Sequence, residues 1–221
     1  MKFYSIKLKN FGVFTDDVIR FAHRKNSKKI VTFVVGANAT GKTTLANAMR
    51  WCMFGETDFL TNSIPAISAL EKISVGERVN VEVTVELEHQ NIAYTFNRKQ
   101  DFEKTNGLDG EKIVSKPKTD TLEFSCTALT QDGKSTSYRQ TNNSTEKEVD
   151  RIIQTICPKR LEHFIFFNGE RINKLVTSFS EGPKRETADI IRQAVQTILG
   201  LDAIQPYWAY SWWSRHPSCK T

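Results

Sequence analysis

"GANATGKTT", residues 36–44, decides how this chain of 221 residues is read. Gly36, four intervening residues and then Gly41-Lys42-Thr43 match the pattern G-x-x-x-x-G-K-[ST]. Glycine lets the backbone turn tightly enough for several N–H groups to converge on one anion. A helix beginning there adds the positive end of its dipole. In such a loop the lysine reaches the β- and γ-phosphates of a nucleotide, and the following hydroxyl ligates Mg²⁺. At ordinary residue frequencies the pattern arises by chance in roughly one chain per hundred of this length. Residues Gly36, Ala37, Asn38, Ala39, Thr40, Gly41, Lys42, Thr43 and Thr44 are therefore the candidate nucleotide-binding set, with Lys42 as candidate catalytic residue and Thr43 on the metal.

The flanks suit that reading. "KIVTFVV" (29–35) is nearly all apolar and β-branched, the pattern of a strand buried on both faces. Beyond the loop, Leu45, Ala48, Met49 and Cys52 fall on one stripe of a helix, and Gly55 is placed to end it in a left-handed cap. The order is strand, glycine loop, helix.

Upstream, "MKFYSIKLKNFGVF" alternates as a strand does and turns near Asn10–Gly12, with "DVIRF" as its hairpin partner. Downstream, Val79, Val81, Val83, Val85 and Leu87 share one face of a strand, and Glu82, Thr84, Glu86 and Glu88 the other. Ile92, Tyr94 and Phe96 continue the alternation after a short turn. Residues 99–120 are polar and read as a loop; 121–140 reads as a hairpin turning at Asp132-Gly133. Thr145 and Glu148 form a capping box before Val149, Ile152, Ile153 and Ile156, and Pro158 closes that helix. "HFIFF" (163–167) reads as a short buried strand and 184–199 as a further helix. The last residues, 205–221, hold three tryptophans without periodicity: a small structured end, a partner-binding tag or a non-native terminus.

Composition narrows the class. No window approaches the ~18 apolar residues of a membrane span, and no secretory signal opens the chain. Cys52, Cys126, Cys157 and Cys219 lack metal-ligand spacing and read as reduced thiols of a cytoplasmic protein. Thirty-one basic residues against 25 acidic give +6. Arg24, Lys25, Lys28 and Lys29 make a basic cluster that suits DNA or another polyanion, or a solvated loop.

"GANATGKTTLANAMRWCMFGE" resembles the loop and first helix of the ABC-type ATPases of the structural-maintenance-of-chromosomes (SMC) and double-strand-break-repair group. Asn38, Gly41, Lys42, Thr43, Thr44, Ala48, Phe54 and Gly55 match; Ala39 stands where that group has glycine. "IKLKNFGVFTDDVIRF" is similar to the group's opening hairpin. The resemblance implies an α/β P-loop half-head with an antiparallel β subdomain at about 75–140 and a helical segment at about 145–204 leading toward a coiled coil. Together these make one lobe over 1–204.

Within that group, "FIFFNGERI" (164–172) has two readings. As a degenerate Walker B strand it puts Asn168 where an aspartate belongs and Glu170 as a base. As a Q-loop, similar to the "FFDGE" turn of the SMC-like DndD proteins, it brings the Asn168 amide to Mg²⁺ and the attacking water. The second is preferred, because an amide oxygen ligates and orients but lacks the Walker B charge.

An ABC-type site also needs a Walker B aspartate, a catalytic glutamate and a Ser-Gly-Gly signature. The sequence contains neither an apolar run ending in Asp-Glu nor Ser-Gly-Gly. The expectation is an ATP- and Mg²⁺-binding N-terminal lobe whose C-terminal lobe comes from the same gene product or another chain. Such heads engage head to head on DNA, in repair or in anti-phage defence of the DndD or Lamassu type, beside other subunits of those systems. The alternatives are a stand-alone P-loop kinase or nucleotide transferase, and a non-catalytic nucleotide-binding subunit.

Overall fold

The computed structural model describes residues 1–22, 31–37, 40–57, 64–106, 113–141 and 147–166. They fall into two units, Met1–Ile156 and Cys157–Thr221. The first contains a seven-stranded sheet built from β1 (Lys2–Phe11), β2 (Phe14–Arg20), β3 (Arg78–His89), β4 (Ile92–Asn106), β5 (Ile113–Pro117), β6 (Glu123–Leu129) and β7 (Ser135–Thr141). The order is β2-β1-β3-β4-β6-β7, with β5 beside the outer half of β4, and every pairing is antiparallel.

The turns follow from local chemistry. β1 passes to β2 through Asn10 at φ 54° and Gly12 at φ 61°; β3 passes to β4 through Gln90 and Asn91, both left-handed. Gly133 at φ 82° turns β6 into β7. Each lies where Asn, Gln or Gly tolerates positive φ better than a branched residue does.

One face of the sheet is dry. Val81, Val83, Val85 and Leu87 are fully buried, as are Ile6, Phe96 and Phe102. Onto this sheet packs α1 (Lys42–Phe54), which meets β1, β3 and β4. The Cys52 thiol reaches the Val83 carbonyl at 3.3 Å, and Phe11 meets Trp51 with ring centroids 5.6 Å apart. The burial of α1 is broader than one stripe: Asn47, Arg50 and Trp51 are buried as well, whereas Met49 is partly open. At its end Gly55 takes φ 73° and its N–H returns to the Trp51 carbonyl, the left-handed cap expected.

A short turn of helix, α2 (Ile67–Leu70), precedes β3, and α3 (Glu148–Ile156) buries Val149, Ile153 and Ile156 before Pro158. In the second unit the described part is a 3-10 turn at Lys159–Leu161 and α4 (Glu162–Ile165). No helix among the described residues is long and apolar enough to cross a membrane.

Three sequence expectations are corrected. Residues 31–37 form no strand: they are exposed, Phe33 by 84% and Val35 by 91%. A strand buried on both faces needs neighbours on both sides, and the described sheet closes its pairings without this segment. Residues 99–106 and 113–117 are not a loop, since β4 runs to Asn106 and β5 pairs with it. Their composition reads as polar because Gln100 and Ser115 share the buried positions with Phe102. "HFIFF" begins as the helical turn of α4, in which Phe166 N–H bonds the Glu162 carbonyl, so its apolar residues do not form a strand through Phe166. The remaining calls, on Thr145, the helix at 184–199, Cys219 and residues 205–221, lie outside the described residues.

Candidate nucleotide site

Three pieces of chain converge at the start of α1. Gly41 is its N-cap, at φ 99° and ψ 8°, and the Gly41 carbonyl accepts the first helical bond from Leu45 N–H at 2.8 Å. Lys42, Thr43 and Thr44 make the first turn. No side chain caps that turn and none of its residues is acidic. Its N–H groups and the positive end of the helix dipole are therefore left to an incoming anion.

The loop before it is closed by its own lysine. Lys42 Nζ donates to the Gly36 carbonyl at 2.6 Å and also to the Ala37 carbonyl. Thr40 Oγ1 donates to the same Ala37 carbonyl at 2.8 Å. An ammonium carries three N–H donors. Two shape the loop from inside, and the third remains for a phosphate oxygen. Lys42 and Thr43 are both exposed, so the charge and the hydroxyl are open to a ligand.

The two motif glycines are required for different reasons. A Cβ on Gly36 would come 2.5 Å from the Thr40 hydroxyl oxygen that closes the ring. A Cβ on Gly41 would come 2.6 Å from a Val13 methyl and 3.1 Å from the Phe14 ring, besides its left-handed backbone. The β1–β2 turn thus forms a wall against the loop. That wall is itself fastened: Gly12 N–H bonds the Ile64 carbonyl and Ala66 N–H the Asn10 carbonyl, each at 2.8 Å. Buried Thr44 fills the space over Gly12, where an added Cβ would lie 2.3 Å from its methyl.

The far end of α1 is held as firmly. Arg98 of β4, only 7% exposed, donates from Nε to the Cys52 carbonyl at 3.0 Å. Its guanidinium lies 4.0 Å from the centre of the Phe124 ring. Burial pushes the neighbouring Cys52 thiol up to about 12 and so keeps it neutral.

Gly36, Ala37, Thr40, Gly41 and Lys42 are thus brought into one closed loop, with Thr43 and Thr44 beginning the helix. Asn38, Ala39, Asn168 and the basic cluster Arg24, Lys25, Lys28 and Lys29 lie outside the described residues. Sequence reading missed the wall of Gly12, Val13 and Phe14 and the strut at Arg98. Arg98 had a signal: it shares the inward register of Phe96 and Phe102, where a charge needs a reason. Among the described residues no group of three or more His, Cys, Asp or Glu could hold a metal ion.

The sheet's other charges are largely matched in pairs. Lys2 meets Glu88 at 3.0 Å, Lys7 meets Glu86 at 3.1 Å, and Lys99 and Arg139 share Glu123 at 2.9 and 2.6 Å.

The AAA_23 family, described as an AAA domain, matches residues 5–203, and the chain belongs to that family. This makes it a nucleotide-binding ATPase domain, in line with the loop just described. No curated protein is similar to it. A solved structure described as "Structural biochemistry of ATP-driven dimerization and DNA stimulated activation of SMC ATPases" is similar at 18% identity, covering 87% of this chain and 98% of that chain. Its TM-score is 0.42.

Proposed function

We propose that the chain is the ATP-binding N-terminal lobe of an SMC-like, DNA-associated ATPase that works by ATP-driven engagement of two heads. The observation that carries this reading is the loop closed by Lys42 over an uncapped helix start. The phosphates of a bound nucleotide would be held by the first-turn N–H groups of α1 and by Lys42. Thr43 and the Asn168 amide would hold Mg²⁺, which would supply charge neutralisation on the phosphates. Ala37, Asn38, Ala39 and Thr40 complete the proposed nucleotide-binding set.

The exposed run at 31–35 supports a composite site. Val31, Phe33, Val34 and Val35 are 48–91% exposed, an apolar surface that pairing with strands of a second lobe would cover. That C-terminal lobe, from the same gene product or another chain, supplies the carboxylates that activate water. Two completed heads then bind face to face around two nucleotides and hold DNA, with Arg24, Lys25, Lys28 and Lys29 as contacts. A role in repair or in anti-phage defence of the DndD or Lamassu type follows from the resemblance of residues 36–56 and of the opening hairpin.

Calorimetric titration of Mg-ATP into the chain, beside Lys42→Ala, tests this. Hydrogen bonds from charged groups are worth about 1.5–3 kcal/mol, so the substitution weakens binding about tenfold or more. The chain alone turns over ATP negligibly. Equal affinity of the two proteins, or rapid Lys42-dependent hydrolysis by the chain alone, would remove the respective half of the proposal.

A further inference from the structure

We propose that Arg98 is a positioning residue for the nucleotide loop, fixing the far end of α1 and linking the loop's ligation state to α3. The proposal rests on the reading of residues 36–44 as a nucleotide cradle.

Arg98 sits in the interior with two kinds of neighbour. Its Nε donates to the Cys52 carbonyl in the last turn of α1. Its guanidinium also crowds the helix cap, since a Cβ on Gly55 would lie 3.3 Å from Nη1 and 3.5 Å from Cζ. Its planar face covers Phe124 of β6. A third and less direct influence is the charge of Asp150 on α3, a helix that packs on both α1 and β6. Burial lowers the Arg98 pKa, and the negative charge of Asp150 works against that lowering. Asp150 is oriented in turn, accepting Gln140 Nε2 at 3.0 Å.

Packing alone does not account for a guanidinium here. Removing one from water costs several kcal/mol, and an apolar side chain of similar volume fills such a space more cheaply. What only the cation supplies is attraction to the carbonyl end of a helix, together with a planar group that serves a carbonyl and a ring face at once. The opposite end of α1 is walled by Val13, Phe14 and Gly12. Thirteen residues of helix span about 20 Å and behave as one rod. A rod held at both ends passes a displacement at Lys42 to Arg98, and from Arg98 to α3.

The test uses the whole chain, with Mg-ATP as probe, in four forms: wild type, Lys42→Ala, Arg98→Met and Arg98→Lys. Circular dichroism establishes which are folded. Arg98→Met is expected to bind Mg-ATP about fivefold more weakly or worse, a typical coupling magnitude, and Arg98→Lys to recover part of the loss. Coupling is reciprocal, so Mg-ATP should slow amide exchange in α3 of the wild type more than in β5, and this difference should vanish in Arg98→Met. A folded Arg98→Met with wild-type affinity would reduce Arg98 to a stability role and overturn the proposal. If Arg98→Met does not fold, exchange in the wild type decides: selective slowing of α3 supports the link, and its absence removes it. Failure of the cradle itself is distinguishable, because then Lys42→Ala and wild type behave alike, and the Arg98 proposal falls with it.

Discussion

Gly41 is where a single methyl group has the most to disturb. Its φ of 99° is foreign to L side chains, and a Cβ there meets Val13 and Phe14 together. The left-handed backbone alone costs about 1–2 kcal/mol for a residue with a Cβ, and relieving the contact means moving the β1–β2 turn. Gly41→Ala is therefore expected to lower the melting temperature measurably and to weaken Mg-ATP binding at the same time. A thermal melt and a titration on the same preparation check both. An unchanged melt would show that the turn yields freely. At this scale the sequence was most legible, because the motif names residue types whose reasons are local. The spacing named glycine at 36 and 41 and lysine at 42, whereas the Lys42 bond to Gly36 and the left-handed backbone of Gly41 came only with the structure. At Arg98 the inward charge was legible but its role was not, since its partners Cys52 and Phe124 are distant in sequence and come together only through strand register.

Among elements, β1 and β3 show how charge and register cooperate. Ser5 Oγ donates to Glu86 at 2.6 Å, and Lys7 reaches the same carboxylate. These partners, Ser5 foremost, hold the Glu86 pKa below its ordinary value near 4.5. The folded carboxylate thus keeps its charge to lower pH than the unfolded one. Its contribution is present above about pH 4.5 and fades as the pH falls further. Glu86→Gln should flatten the acid side of a stability-against-pH curve while leaving the neutral side less affected. Urea melts between pH 3 and pH 7 measure this, and parallel curves for the two proteins would exclude the role. Strands of this kind are easy to read, since one dry face forces strict alternation from Val79 to Leu87. The outer half of β4 is not, because its inward positions include Arg98 and Gln100 beside Phe102, and polar residues there carry no apolar signal. Residues 31–35 misled for the opposite reason. Their composition specifies a buried strand, yet burial depends on a neighbour that the described sheet does not provide.

At the scale of the whole molecule, that exposed run is the feature to test. Phe33 and Val35 contribute little to the fold as it stands, being 84% and 91% exposed. Replacing them, as Phe33→Ser with Val35→Asp, should change stability by no more than about 0.5 kcal/mol while lowering binding of an apolar dye and self-association. Denaturant melts and light scattering read the two effects separately. A large loss of stability would mean that the run is already covered within the chain. The α/β class was legible in the sequence through the sheet, the cradle and the helix together. The extent of the sheet was not, because β1 joins β3 through pairings that span some 80 positions, such as Lys2 with Glu88.

Those same pairings set an order of events during synthesis. The buried face of α1, ending at Phe54, rests on β3 and β4, and β4 closes only at Asn106. A ribosome adding about 5–20 residues per second needs roughly 3–10 s to make that stretch. For those seconds the helix that carries the cradle has emerged without its floor, and a chaperone that covers Leu45, Ala48 and Cys52 has its opportunity then.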